Sequence, residues 1–305
     1  MSRFLSKIII YLITALSINI AFIFILSYFD HDMIKRIESL KFTNKKYNAL
    51  VFGNSLALDG IDTKYLNENG ISSYNFAISG ANIATNLVQL KEYLKNNEKP
   101  DLVVLCLSTC LGSYYEGPEI EEIHPIVKYT RSFEVKDLNF PLSIFRWKIL
   151  ELGKILFSKN HRNAKVVEGQ YKSEKKIIDI SSFKRNSFNI ELLEKSQSLR
   201  SFSNYCQKKE IKIIFIDMPG FKSTRYDNIS NDEEHKLFGN HLYPCNTIKI
   251  GNVFDSQNDW IANSHLNKYG AYKFSKITLF KIVSMNCSKE PKITTKSIQT
   301  HQGSN

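Results

Sequence analysis

A serine and a histidine, far apart in the chain, are the residues that could do chemistry together. Ser55 stands in Gly53-Asn54-Ser55, directly after the apolar run Ala49-Leu50-Val51-Phe52, and His265 stands in Ser264-His265-Leu266-Asn267, shortly before a helical pattern. A hydroxyl at the end of a buried strand, where the next element opens, lies beside free backbone N–H groups that can hold an oxyanion. An imidazole in a loop at the same sheet edge can take the hydroxyl's proton, so the two types form a nucleophile and its base. Read alone, Asn54-Ser55 is equally a helix cap, because both residue types favour that position. The distant histidine tips the reading toward acyl transfer.

The elements that must position this pair follow from hydrophobic patterning. Ala49 to Phe52, Ser73 to the glycine turn at Gly80, Leu102 to Leu107 and Lys212 to Asp217 read as strands, with a further one at Thr247 to Val253. Leu102-Val103-Val104-Leu105-Cys106-Leu107 has no polar break, as expected of a parallel strand covered on both faces. Helical patterns fall between them, at Thr63 to Asn69, Ile83 to Leu94, Ile190 to Lys208 and Tyr272 to Met285. Strand and helix in alternation give βαβ units, hence an α/β fold with a doubly wound, mainly parallel sheet.

The chain before and between these units has a different character. Residues 1–7 carry Arg3 and Lys7, and Ile8 to Phe29 are 22 uncharged, mainly apolar positions, enough to cross a bilayer as a transmembrane helix. No small-residue cleavage site follows, so an uncleaved anchor with a cytoplasmic N-terminus and an extracytoplasmic domain is expected. Residues 30–46 read as a stalk, 47–286 as the domain with an insertion at about 112–185, and 287–305 as a tail. The insertion is basic, with eleven Lys/Arg against four Asp/Glu from Arg146 to Arg185, and holds a helical pattern at Leu142 to Phe157. It reads as a solvated excursion or as a docking surface for membrane or anionic glycan. The whole chain carries a formal charge of +11, which suits anionic surroundings, yet no nucleic-acid recognition motif accompanies it. Five cysteines without a CxxC pair point to buried thiols, with neither metal nor cofactor implied.

At three places the chain resembles the SGNH (GDSL-like) hydrolase family. Gly53-Asn54-Ser55 is similar to its Gly-Asp-Ser block with Asn for Asp, Asn75-Phe76-Ala77-Ile78-Ser79-Gly80 to its second block, and Ser264-His265-Leu266-Asn267-x-x-Gly270-Ala271 to its last. The resemblance implies a flavodoxin-like three-layer domain, Ser55 as nucleophile, His265 as base, and the N–H groups of Ser55 and Gly80 as oxyanion donors. Two departures stand out. The family's oxyanion asparagine after the third strand is missing, leaving Ser108 or Asn82 to replace it, and the acid three residues before the histidine falls on Ala262. Asp259 is the preferred substitute, reaching the ring if residues 259–265 form one helical turn; Asn263 and Asp255 are the other neighbours.

For a membrane-anchored member the resemblance implies an esterase or O-acyltransferase acting on acyl groups, O-acetyl above all, of a cell-surface polysaccharide, without cofactor. Its partners would be the lipid bilayer, the glycan and a multi-span acyltransferase. The alternative from another class is a catalytically inactive SGNH-like module that binds glycan or helps assemble an envelope complex, which the two departures would suit. A lipid esterase is the third reading.

Overall fold

The computed structural model describes residues 2–29, 42–107, 165–174, 190–219, 235–244, 254, 258–261 and 265–287. The expected strand at 247–253, the helix at 142–157, most of the insertion and the tail lie outside them.

Among the described residues six strands form the main sheet, in the order β2-β1-β3-β6-β8-β7. β1 (Ala49–Phe52) pairs in parallel with β2 (Ser73–Asn75) on one side and β3 (Leu102–Leu107) on the other; β3 pairs in parallel with β6 (Lys212–Asp217), and β6 with β8 (Asn240–Pro244). Of these six, β7 (His235–Leu237) alone runs antiparallel, as a hairpin with β8. The chain begins inside the sheet, steps outward to β2 and then crosses back to β3. That reversal opens a crevice at the carboxyl ends of β1 and β3, where ligands of such sheets bind.

Side chains alternate across the strands, which divides the core in two. Ala49, Val51, Val104, Ile214 and Ile216 point to one face, covered by α2 (Ser55–Gly60), α3 (Thr63–Glu68) and the helices from Lys268 to Asn286; Leu50, Phe52, Val103, Leu105, Ile213 and Phe215 point to the other, covered by α4 (Ile83–Tyr93) and α6 (Gln197–Lys208). Helices on both faces of a mostly parallel sheet make a three-layer α/β fold. The pattern from Ile190 to Lys208 is not one helix: α5 (Ile190–Lys195) stops and Ser196, its hydroxyl accepting from Leu199 N, caps α6. Phe42, at the end of the expected stalk, already packs edge-on against Tyr74 and Phe76. One piece of the insertion is a folded hairpin, β4 (Lys165–Val167) and β5 (Gln170–Lys172).

The N-terminal segment is a single helix, α1 (Ser2–Phe29), of 28 residues. Its side chains are described over residues 3–18 and 21, where Phe4, Leu5, Ile10, Tyr11, Leu12 and Ile13 are exposed. Among the described residues no helix is long and apolar enough to cross a membrane.

Candidate active site

The serine's place is fixed by a glycine and an asparagine. β1 ends at Gly53, whose φ is +155°, and a Cβ there would lie 2.8 Å from the Cβ of Ala57 and 3.0 Å from that of Cys106. Only glycine fits where β1 turns beside β3 into α2. Asn54 caps α2, its Oδ1 accepting from Leu56 N at 3.0 Å. An asparagine thus keeps the accepting oxygen that an aspartate would offer, without a charge. Ser55 is the first residue of the helix, so its N–H has no intrahelical partner, and none engages it among the described residues.

Buried amides tie the neighbouring block to this turn. Asn75 donates from Nδ2 to Ala57 O at 2.9 Å and accepts at Oδ1 from Ala77 N at 2.9 Å. The Gly53 carbonyl accepts from Ile78 N at 3.2 Å and from Asn86 Nδ2 at 3.3 Å. The loop therefore runs past the serine turn to Gly80, which adopts φ +71°, and no group among the described residues engages the Gly80 N–H. Asn82 is an N-cap: its Oδ1 accepts from Thr85 N at 2.9 Å and starts α4.

The histidine is presented by a short antiparallel bridge, Trp260 opposite Leu266. Ile261 N donates to His265 O at 2.8 Å and Asn267 N to Asp259 O at 2.9 Å, so residues 259–261 and 265–267 pair in extended form where a helical turn was expected. Asn267 then caps α7 (Lys268–Phe274), its Oδ1 accepting from Tyr269 N and Gly270 N. A Cβ on Gly270 would sit 2.2 Å from Asp259 O, which accounts for a glycine three residues after the asparagine. The helix continues through a π-helical turn, Ser275–Leu279, into α8 (Phe280–Asn286).

These elements bring Ser55 and His265 together, with Nε2 2.8 Å from Oγ. Burial lowers the His265 pKa below the ordinary 6.5, so the ring is neutral at pH 7 and, with its proton on Nδ1, can accept at Nε2. Asp259 is not brought to the ring. Its carboxylate, almost wholly buried, lies 2.8 Å from Lys273 Nζ, because the bridge that positions His265 turns this side chain to α7. A carboxylate that sequence reasoning passed over is nearer: Asp59 Oδ2 is 4.0 Å from His265 Nε2. Its one signal in the sequence is its spacing of four from Ser55. Ser108 lies outside the described residues.

The β4–β5 hairpin spans the two halves of the site. Gly169 sits so close to β2 that a Cβ would meet Asn75 O at 2.0 Å, and Gln170 Nε2 donates to Asp59 O at 3.1 Å. On the other side, Lys268 N donates to Ser173 O at 2.9 Å. Among the described residues no group of three His, Cys, Asp or Glu side chains could hold a metal ion. Cys106 and Cys206 are buried free thiols, and burial pushes the Cys206 pKa up to about 12, far from a reactive thiolate.

No family model and no curated protein matches the chain. Among solved structures it is similar to one provisionally described as a platelet activating factor from Streptococcus pneumonia, at 11% identity and a TM-score of 0.40, covering 88% of this chain and 99% of that one. The functional reading therefore stands on the site itself.

Proposed function

We propose that this chain is an SGNH-type serine esterase or O-acyltransferase that acts on acyl groups, O-acetyl foremost, of a cell-surface polysaccharide. The observation that carries the reading is the 2.8 Å contact between Ser55 Oγ and His265 Nε2 at the carboxyl end of β1. His265 Nε2 takes the hydroxyl proton as Oγ bonds to the ester carbonyl carbon, and the carbonyl electrons move to an oxyanion held by the N–H groups of Ser55 and Gly80. Collapse of that intermediate breaks the bond to the alcohol, which leaves with the proton from Nε2. Water or a sugar hydroxyl then repeats the sequence and releases the acyl group. The polysaccharide rests on the family resemblance alone, and the outward-facing anchor on the 22 uncharged residues from Ile8.

Removing either partner should then cost about as much as removing both, since residues that act as a unit are not additive. Full-length wild type, Ser55→Ala, His265→Ala and the double variant would be assayed on p-nitrophenyl acetate and an acetylated glycan, with folding checked by circular dichroism. All three variants should lose about 10³-fold or more in kcat/KM. Folded single variants with wild-type turnover would overturn the assignment.

One observation favours a second reading, an inactive glycan-binding module: the preferred triad acid, Asp259, is held by Lys273. A wild type that turns over no ester and resists a serine-directed fluorophosphonate, yet binds the glycan, would decide for it.

A further inference from the structure

Ser55 and Asp59 are four residues apart on α2, a spacing that stacks both side chains on one helical face. A single histidine meets that face twice, with Nε2 2.8 Å from Ser55 Oγ and 4.0 Å from Asp59 Oδ2. The carboxylate is well sheltered, its side chain 13% exposed, so water screens it only weakly.

The backbone beneath Asp59 is held in place. Its carbonyl accepts from Gln170 Nε2 at 3.1 Å, and the next residue, Gly60, is packed so closely that a Cβ would meet the Met218 methyl at 2.7 Å. Among the described residues ion pairs join Asp62 to Lys172, Asp259 to Lys273 and Lys268 to Glu174. Position 262, where the family resemblance would place the acid, is an alanine.

We infer that Asp59 is the positioning residue for His265: carried on the same helix as the nucleophile, its carboxylate faces the ring nitrogen that receives the Ser55 proton and stabilises the imidazolium formed there. The proton moves from Oγ to Nε2 and later to the departing alcohol, and Asp59 stays ionised throughout. An acid before the histidine in sequence would act on Nδ1. Here the anion acts on Nε2 itself, so its contribution grows as the proton arrives, the property that makes an interaction catalytic rather than merely binding.

The inference rests on the serine–histidine reading, yet the contact can be tested without turnover. The full chain, labelled with ¹³C at histidine Cε1, has seven histidines, and the signal lost in His265→Gln identifies His265. Titration of Asp59→Asn should move the His265 midpoint down by about one pH unit or more, because an opposite charge within about 4–6 Å shifts a pKa by 1–3. Asp59→Glu should restore part of it. On p-nitrophenyl acetate, Asp59→Asn should lower the plateau of kcat/KM by about tenfold or more and shift its acid limb to lower pH. If Asp59→Asn does not fold, Asp59→Ser takes its place in both measurements. An unchanged midpoint in a folded variant overturns the inference, even where turnover depends on Ser55 and His265. A lowered midpoint in a protein that hydrolyses no ester supports the contact while sinking the acyl-transfer reading.

Discussion

The two halves of the site are fastened by different chemistry. Around Ser55 the chain is knitted by neutral amides: Asn75 to Ala57 and Ala77, Asn86 to Gly53, Gln89 to Phe76. These groups are buried in the core. Around His265 the backbone bridge and the buried Asn267 amide are accompanied by ion pairs, Asp259 with Lys273, Lys268 with Glu174, and across the hairpin Lys172 with Asp62, several of them reaching the surface. A buried amide in a short turn has one arrangement, whereas a lysine on a flexible stem can let go and reform. The nucleophile is thus set among neutral contacts, while the frame of the base adds charged ones that salt is expected to weaken.

The sharpest way to break the contrast is to damage the histidine frame through its backbone. In Gly270→Ala a Cβ would stand 2.2 Å from Asp259 O, which forces the bridge carrying His265 to move. Displacement of a reacting group by about 1 Å costs on the order of 10²-fold, so kcat/KM should fall by that much while Ser55 still reacts with a fluorophosphonate more than Ser55→Ala does. Labelling and turnover that match wild type would show that the glycine is incidental.

A smaller effect, read as stability, compares the two fasteners directly. Asn75→Ala leaves Ala57 O and Ala77 N without their side-chain partner, at about 1–3 kcal/mol for a buried orphan. Lys273→Met strips the cation from Asp259, at about 1–2 kcal/mol for a pair that solvent partly reaches. Thermal denaturation at 0.05 and 0.5 M salt should leave the deficit of Asn75→Ala unchanged and shrink that of Lys273→Met, because salt weakens the pair already in wild type. Equal salt dependence would erase the distinction drawn between the two halves.

The smallest effect is the pH response of the ring. Burial lowers the His265 pKa from 6.5, so the folded protein takes up its proton only at lower pH than the unfolded chain does. Stability from this group is fully present above pH 6.5 and declines as pH falls below it. Activity that needs the neutral ring should stay level from pH 8 to 7 and drop at an inflection below 6.5, measured as kcat/KM against pH. An inflection above 6.5 would mean that a neighbouring anion outweighs burial.

What could be read from the sequence follows how strongly each element depends on apolar side chains. β1, β3 and β6 are buried on both faces, and their uninterrupted Val, Leu and Ile runs announce them. The break at Ser196 hides inside a continuous helical pattern, since a capping serine looks like any other polar residue there. β8 is half polar, and the hairpin at Lys165–Lys172 is held by backbone contacts at Gly169 and by Gln170, neither of which leaves a hydrophobic period. Ser55 and His265 were legible because each sits where a strand-to-helix turn must fall. The partner of Asp259 was not, because a bridge between residues 260 and 266 replaces the helical turn that sequence spacing suggested.

The separation of 210 residues between Ser55 and His265 also sets an order of events during synthesis. At about 5–20 residues per second, roughly 10–40 s pass between the serine leaving the ribosome's catalytic centre and the histidine being added. Once β2 and β3 have been made, β1 and its turn can form while the hydroxyl still has no base and stays inert. The reaction centre is therefore among the last features of the domain to assemble, and a chain stalled or cut before residue 265 would be a folded-looking fragment with no power to attack an ester.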